Sequence, residues 1–336
     1  MNPSSAVPVE PPARTFRNAD RLHRIRYLSG LYMRLFLKSL GRVPPKELLR
    51  TQFPFSMSDA PLPPLLSVEL TNHCNLGCDY CTNPTSLRPR GVMDETTLAR
   101  LLDELAKGGT YRVSLCGNGE PTIHPRFVDV VRRLSLVTPH LSVTSNWQRI
   151  NDDIAVEALY RCQEINVSVD GADPETYETR RKGGSFRRLL FNLDRLVALK
   201  RSTRARALIN IRVMLLPSER SREREVLSFW RRYGDIVSRQ YVLDFEAKGG
   251  DLFSPASEGR CTLPFKKLDL HWNGVVNLCS YSWIQVNDPE GVVLGNIREK
   301  SLSAMWNSDL MRQYREGHRR RQEAMTPICK GCPGRT

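Results

Sequence analysis

The chain has 336 residues, 40% of them hydrophobic, and a mean hydropathy of −0.40. That balance excludes a disordered or fibrous chain, and no apolar run reaches the roughly 20 residues that a membrane-crossing helix needs. A net charge of +14 admits an anionic partner. However, the basic residues gather at the ends (Arg14, Arg17, Arg21, Arg24 and Arg26; Arg319, Arg320 and Arg321) with no nucleic-acid motif beside them, so solvated helix faces are the simpler reading.

Residues 1–62 read as a basic leader. The stretch Asn2–Pro12 is polar and proline-rich and lacks a signal-peptide core, which places the protein in the cytoplasm. Leu22, Ile25, Leu28, Leu31, Leu35 and Phe36 recur at helical spacing, which predicts an amphipathic helix over about 19–40. Packing on the neighbouring domain is preferred over a membrane surface as its role.

From residue 63 to 248, apolar strands alternate with helical patterns. Expected strands are Leu66–Leu70, Val113–Leu115, Leu141–Thr144, Ile165–Val169, Ile209–Leu216 and Tyr241–Phe245. Expected helices are Asp94–Lys107, Arg126–Leu134, Phe186–Leu199 and Arg222–Arg232. Six such units imply an α/β fold with a parallel sheet and right-handed crossovers, a partial, open barrel rather than a closed eight-stranded one. Residues 249–336 differ. Asn273-Gly274 between Leu268–Leu270 and Val275–Leu278 signals a hairpin, and a helix is expected over Ser303–Met325, making a small α+β second domain.

Nine cysteines in a cytoplasmic chain point to metal or catalysis before disulfides. Cys74-x3-Cys78-x2-Cys81 follows the first strand. Thiolates at this spacing can wrap an iron–sulfur cube and leave one iron open, whereas zinc needs a fourth ligand for which His73 is badly placed. Cys261, Cys279, Cys329 and Cys332 form a second set, which on spacing alone suits either a tetrahedral zinc or one fully ligated cluster. Of the two remaining cysteines, Cys162 reads as a buried, inert thiol.

The first motif resembles the signature of the radical S-adenosylmethionine (SAM) superfamily, including the aromatic Tyr80 before its last cysteine. The resemblance implies a SAM-binding [4Fe–4S] cluster on Cys74, Cys78 and Cys81, with Tyr80 near the adenine. Cys116-Gly117-Asn118-Gly119-Glu120-Pro121 resembles the element that contacts the amino group of SAM. Ser145 and Asn146, and Ser168 and Asp170, resemble the strand-end contacts to ribose and carboxylate, and Arg181 resembles the arginine that pairs with the SAM carboxylate. The second set resembles a shortened SPASM, or twitch, domain as found in aminocyclitol dehydrogenases of butirosin biosynthesis. It implies one auxiliary [4Fe–4S] cluster on Cys261, Cys279, Cys329 and Cys332.

The expected activity is hydrogen abstraction from a sugar- or aminocyclitol-like small molecule by a 5′-deoxyadenosyl radical, with the auxiliary cluster accepting an electron, and a flavodoxin or ferredoxin as electron donor. Two alternatives stand beside it. One is a sugar or peptide epimerase in which Cys116 returns a hydrogen atom, although the phase of that strand end is open in the sequence. The other is a peptide or protein maturase.

Overall fold

The computed structural model describes residues 62–241, 261–279, 293–326 and Cys329. The expected helix over 19–40, the linker residues up to 260 and Cys332 lie outside the described residues.

Strands and helices take turns from Leu65 onward: β1 (Leu65–Val68), the two-residue β2 (Gly77–Cys78), α1 (Glu95–Ala106), β3 (Arg112–Leu115), α2 (Phe127–Val137), β4 (His140–Ser145) and α3 (Asp152–Arg161). They continue with β5 (Glu164–Asp170), α4 (Pro174–Arg180), the short β6 (Arg181–Lys182), α5 (Phe186–Thr203), β7 (Leu208–Leu215), α6 (Glu223–Trp230) and β8 (Ile236–Tyr241). Short polar side chains start the helices. Asp94, Asn151, Asp173 and Ser185 each accept a hydrogen bond from the backbone N–H three residues on, which satisfies a donor the first turn would orphan.

The long strands β1, β3, β4, β5, β7 and β8 pair in parallel in that spatial order, the six-unit row of a partial barrel. Period-two alternation divides each strand between two environments. Leu66, Val68, Val113, Leu115, Leu141, Val143, Ile165, Val167, Ile209, Ile211 and Val213 join one continuous apolar core with Leu98, Leu101, Val131, Leu134, Leu189 and Leu193 of the covering helices.

The opposite, inner face is polar. Ser67, Ser114 and Ser142 stand in register, as do Thr144, Asn166 and Asn210, and Ser168, Arg212 and Ser238. At its base Arg112 donates to Glu164 (2.7 Å) and Ser142 (3.2 Å). Asn210 donates to Asn166 (3.0 Å) and Ser238 donates to Asn210 (2.9 Å).

The sixth strand is Ile236–Tyr241, and the strand expected over Tyr241–Phe245 lies, beyond its first residue, outside the described residues. Among the described residues Ile236–Tyr241 ends the row and pairs only with β7, so it tolerates Ser238, Arg239 and Gln240, which hide a strand from an apolar-run reading.

The C-terminal segment supplies β9 (Lys267–Leu270), β10 (Val275–Asn277), β11 (Val293–Asn296), α7 (Leu302–Trp306) and α8 (Asp309–Arg320). The hairpin forms where Asn273-Gly274 predicted it, with Gly274 at φ +87°. Its first strand runs parallel to β1, pairing Ser67 with Asp269, so the C-terminal strands extend the same sheet. The single helix expected over Ser303–Met325 is two helices, because Ser308 accepts from the Met311 N–H and starts a new one.

Candidate active site at the strand ends

The Cys74–Cys81 loop leaves the carboxyl end of β1, the edge of a parallel sheet where ligands gather. Cys78 pairs with Arg181 in the small β2–β6 ribbon, and the Cys81 N–H turns back to donate to the Cys78 carbonyl (3.1 Å). Arg90 closes the loop from behind, donating to the Asn72 carbonyl (2.6 Å) and to Asn83 (2.7 Å), while the Asn83 N–H lies 3.4 Å from Cys81 Sγ. Asn146, expected at the third strand end, brings its Nδ2 to 4.0 Å from Cys74 Sγ and to 3.0 Å from Asn75 Oδ1.

All three thiols are half-buried and outside any disulfide. Burial pushes Cys74 up to about 12, Cys78 up to about 11 and Cys81 upward. Thiolates persist in such surroundings only against a strong cationic partner. Soft iron is such a partner, so the donor set fits an iron–sulfur cluster.

The Cys116–Pro121 loop packs on the segment that leads to these cysteines. A Cβ on Gly117 would lie 2.6 Å from Glu69 Cβ, and one on Gly119 would lie 2.2 Å from the Thr71 carbonyl oxygen. Gly117 thus makes room for the Glu69 side chain, and Gly119 permits a backbone-to-backbone approach to Thr71 and His73. Glu120 is buried. It accepts from the Asn146 N–H (2.7 Å), the Thr122 N–H (3.1 Å) and the Thr122 hydroxyl (2.7 Å), so it joins the ends of β3 and β4. Burial raises its carboxyl above the usual range despite these donors. Ser145 accepts from the Trp147 N–H at 2.9 Å.

Tyr80, Asp170 and Arg181 converge. The Tyr80 hydroxyl donates to Asp170 Oδ2 (2.8 Å), Arg181 Nε donates to the same oxygen, and the Arg180 guanidinium lies 5.3 Å from the Tyr80 ring centroid. Ser168 stands on the inner face beside Arg212. The structure also resolves the phase at Cys116. Its N–H continues the ladder to the Val68 carbonyl (3.1 Å), the alternation puts it on the Ser114 face, and Lys267 of β9 lies within electrostatic reach. Cys162 is buried, and burial pushes its thiol far up.

At the C-terminal cysteines the organiser is His318 on α8, a residue that its sequence spacing does not single out. Its Nδ1 accepts from the Cys261 N–H (3.2 Å) and its Nε2 lies 3.5 Å from Cys329 Sγ. An acceptor at Nδ1 leaves the proton on Nε2, aimed at the sulfur. The buried Cys279 is within electrostatic reach of Lys267. Another buried group is equally invisible in the sequence. Glu69 takes both arms of Arg88 (2.6 and 3.1 Å), the Asn118 N–H (3.0 Å) and lies 3.3 Å from His271 Nδ1.

Comparison with known proteins agrees with this architecture. The Radical SAM superfamily profile matches residues 68–230, and the SPASM iron–sulfur cluster-binding domain matches residues 261–333. The chain belongs to the radical SAM superfamily and carries a C-terminal SPASM domain. Its cofactors are accordingly a [4Fe–4S] cluster with SAM and auxiliary iron–sulfur binding in the SPASM domain.

Among curated relatives, the mycofactocin maturase of Mycobacterium ulcerans is 32% identical over 141 residues, 42% of this chain and 37% of that protein. The GTP 3′,8-cyclase of Photorhabdus laumondii is 28% identical over 193 residues, 56% of this chain and 57% of that protein. The chain thus spans between about a third and three-fifths of these relatives. The fold resembles BtrN in complex with AdoMet and 2-DOIA (TM-score 0.54, 19% identity, 80% of this chain and 92% of that one). It also resembles Streptococcus suis SuiB bound to the precursor peptide SuiA (TM-score 0.61, 15% identity, 82% and 72%).

Among the described residues, no helix is long and apolar enough to cross a membrane.

Proposed function

We propose that this enzyme oxidises a small, hydroxylated substrate held over the polar inner face of the sheet. The observation that carries the reading is that face itself, where Ser67, Ser114, Ser142, Asn166, Asn210, Arg212 and Ser238 succeed one another across the strands. A polar-lined face of this kind suits a hydroxylated molecule better than an apolar one. The neighbour BtrN, crystallised with 2-DOIA, supports the same direction.

When bound, SAM and a reduced [4Fe–4S] cluster would supply a 5′-deoxyadenosyl radical able to abstract hydrogen from carbon, and an auxiliary cluster would supply an electron acceptor. Cys74, Cys78 and Cys81 would hold the first cluster, and Cys261, Cys279, Cys329 and Cys332 the auxiliary one. Gly117, Gly119, Glu120, Ser145, Asn146, Ser168, Asp170, Arg181 and Tyr80 would surround SAM. Arg181 spends its Nε on Asp170, and the fork of a guanidinium has further N–H groups suited to a carboxylate. The partners in this reading are the small-molecule substrate and an external reductant such as a flavodoxin or ferredoxin.

A second reading rests on Cys116. A thiol on the inner face could return a hydrogen atom to a substrate radical, which would make the enzyme an epimerase. The maturase relatives and the peptide-bound SuiB favour testing peptides beside sugars.

The decisive experiment is anaerobic reconstitution followed by SAM, reductant and a panel of aminocyclitols, sugars and peptides in heavy water. Oxidation yields a product lighter by two hydrogens and free of solvent deuterium. Deuterium uptake that disappears in Cys116→Ala would assign epimerisation instead, and absence of 5′-deoxyadenosine would refute both.

A further inference from the structure

The buried Glu69 group joins four separate parts of the chain. Glu69 follows β1, Arg88 lies in the tail of the cysteine loop, Asn118 is in the Cys116–Pro121 loop, and His271 lies at the β9–β10 hairpin of the C-terminal segment. Glu69, Asn118 and His271 are 1%, 9% and 2% exposed. Ions in such surroundings are costly unless every partner is held in place, so their geometry is tightly determined.

The connections run in one direction across the molecule. His271 Nδ1 lies 2.8 Å from Arg88 Nη2, and its Nε2 lies 2.8 Å from Asn277 Nδ2 on β10, which fixes the ring from the hairpin side. Arg88 grips both oxygens of Glu69, so the fork sets the plane of the carboxylate as well as its position. Glu69 Oε2 in turn receives the Asn118 N–H, and Gly117 packs directly on the Glu69 side chain. A shift of the imidazole therefore reaches the loop backbone through two hydrogen-bonded steps, with no intervening flexible segment.

We propose that Glu69 and His271 are positioning residues through which the C-terminal segment sets the conformation of the Cys116–Pro121 loop, and with it the affinity for SAM. The step to SAM rests on the reading above in which this loop contacts it. Neither residue needs to touch SAM.

The test measures SAM binding by equilibrium dialysis to the full chain, anaerobically reconstituted, with no turnover required. Iron content and the electron paramagnetic resonance of the auxiliary cluster are followed in parallel. His271→Ala should weaken SAM about tenfold, in the range seen when an outer hydrogen-bond partner of a bound group is removed. His271→Asn, whose side-chain amide can take the place of Nδ1, should stay within about threefold of wild type on the same scale. Glu69→Gln should lose about as much as His271→Ala, and the double variant should lose no more than either, since the residues act in one chain of contacts.

Wild-type affinity in His271→Ala, or full additivity in the double variant, would overturn the proposal. So would equal losses in His271→Ala and His271→Asn accompanied by loss of auxiliary iron, which would mark a folding role only. A wild-type protein that binds no SAM would instead refute the underlying assignment of the loop, and this proposal with it.

Discussion

Tyr80 and Asp170 are joined by a 2.8 Å hydrogen bond that spans ninety residues of sequence and ties the cysteine loop to the end of the fourth long strand. The acceptor carboxylate is fully buried and shared with Arg181. Tyr80→Phe removes one donor and leaves that oxygen with one partner fewer. Unfolding by denaturant should show a loss of about 1–3 kcal/mol, the cost of under-satisfying a buried charged acceptor. An unchanged midpoint would mean that the bond contributes nothing to holding the loop.

Two glycines of the same region should respond oppositely to alanine. At Gly119 a methyl group would meet the Thr71 and His73 carbonyl oxygens at 2.2 and 2.5 Å, and backbone cannot yield as a side-chain tip can. Gly119→Ala should therefore cost about 1–3 kcal/mol or more and lower the iron loading of the first site. A Cβ on Gly77, inside the cysteine motif, meets nothing within 4 Å. Gly77→Ala should stay within about 0.5 kcal/mol of wild type, and iron analysis of the two variants side by side checks the contrast.

Much of this site was legible in the chain. The cysteine spacings, the strand-end polar residues and the alternation of strands with helices are local patterns, and local patterns survive without coordinates. The contacts that organise them do not. Glu69 meets His271 across 202 residues and Cys261 meets His318 across 57, so neither histidine stands out from an ordinary one in the sequence. Where the reading slipped, a local signal competed with context. Polar side chains disguised the edge strand Ile236–Tyr241, and Ser308 divided what periodicity ran together as one helix.

Glu69 should dominate part of the acid limb of stability. Burial works to raise its carboxyl, but hydrogen bonds from His271 and Arg88 and their charges outweigh that and bring it from 4.5 down to about 2. A carboxyl depressed in the folded state stabilises the protein above its unfolded value. That contribution is lost as pH falls from about 4.5 towards 2. It amounts to roughly 3 kcal/mol at one pKa unit per 1.36 kcal/mol. The difference in unfolding free energy between wild type and Glu69→Gln should shrink over that window. A difference that stays constant from pH 6 to pH 3 would contradict the assignment.

His318 should tune the auxiliary site. Its Nε2–H faces Cys329 Sγ at 3.5 Å while its Nδ1 holds the Cys261 backbone. Removing a hydrogen bond to a ligating sulfur takes away stabilisation of the reduced, more negative state. His318→Ala should lower the auxiliary reduction potential and loosen iron there by about 10–100-fold, with the first site unaffected. Potentiometric titration monitored by electron paramagnetic resonance, together with iron counts, checks both parts.

The pairing of β9 with β1 has a consequence for how this chain can be cut. β1 sits between β3 and β9, and its carbonyl and amide groups are spent on both sides, as when the Leu65 N–H donates to the Lys266 carbonyl and the Glu69 N–H to that of Leu270. A version ending at Tyr241 would keep the first three cysteines but bare one flank of the strand that carries them. Bare flanks recruit other strands, so such a fragment should self-associate through the margin from which the cluster loop emerges. The C-terminal segment is thus the selvedge that stops this sheet from fraying into its neighbours.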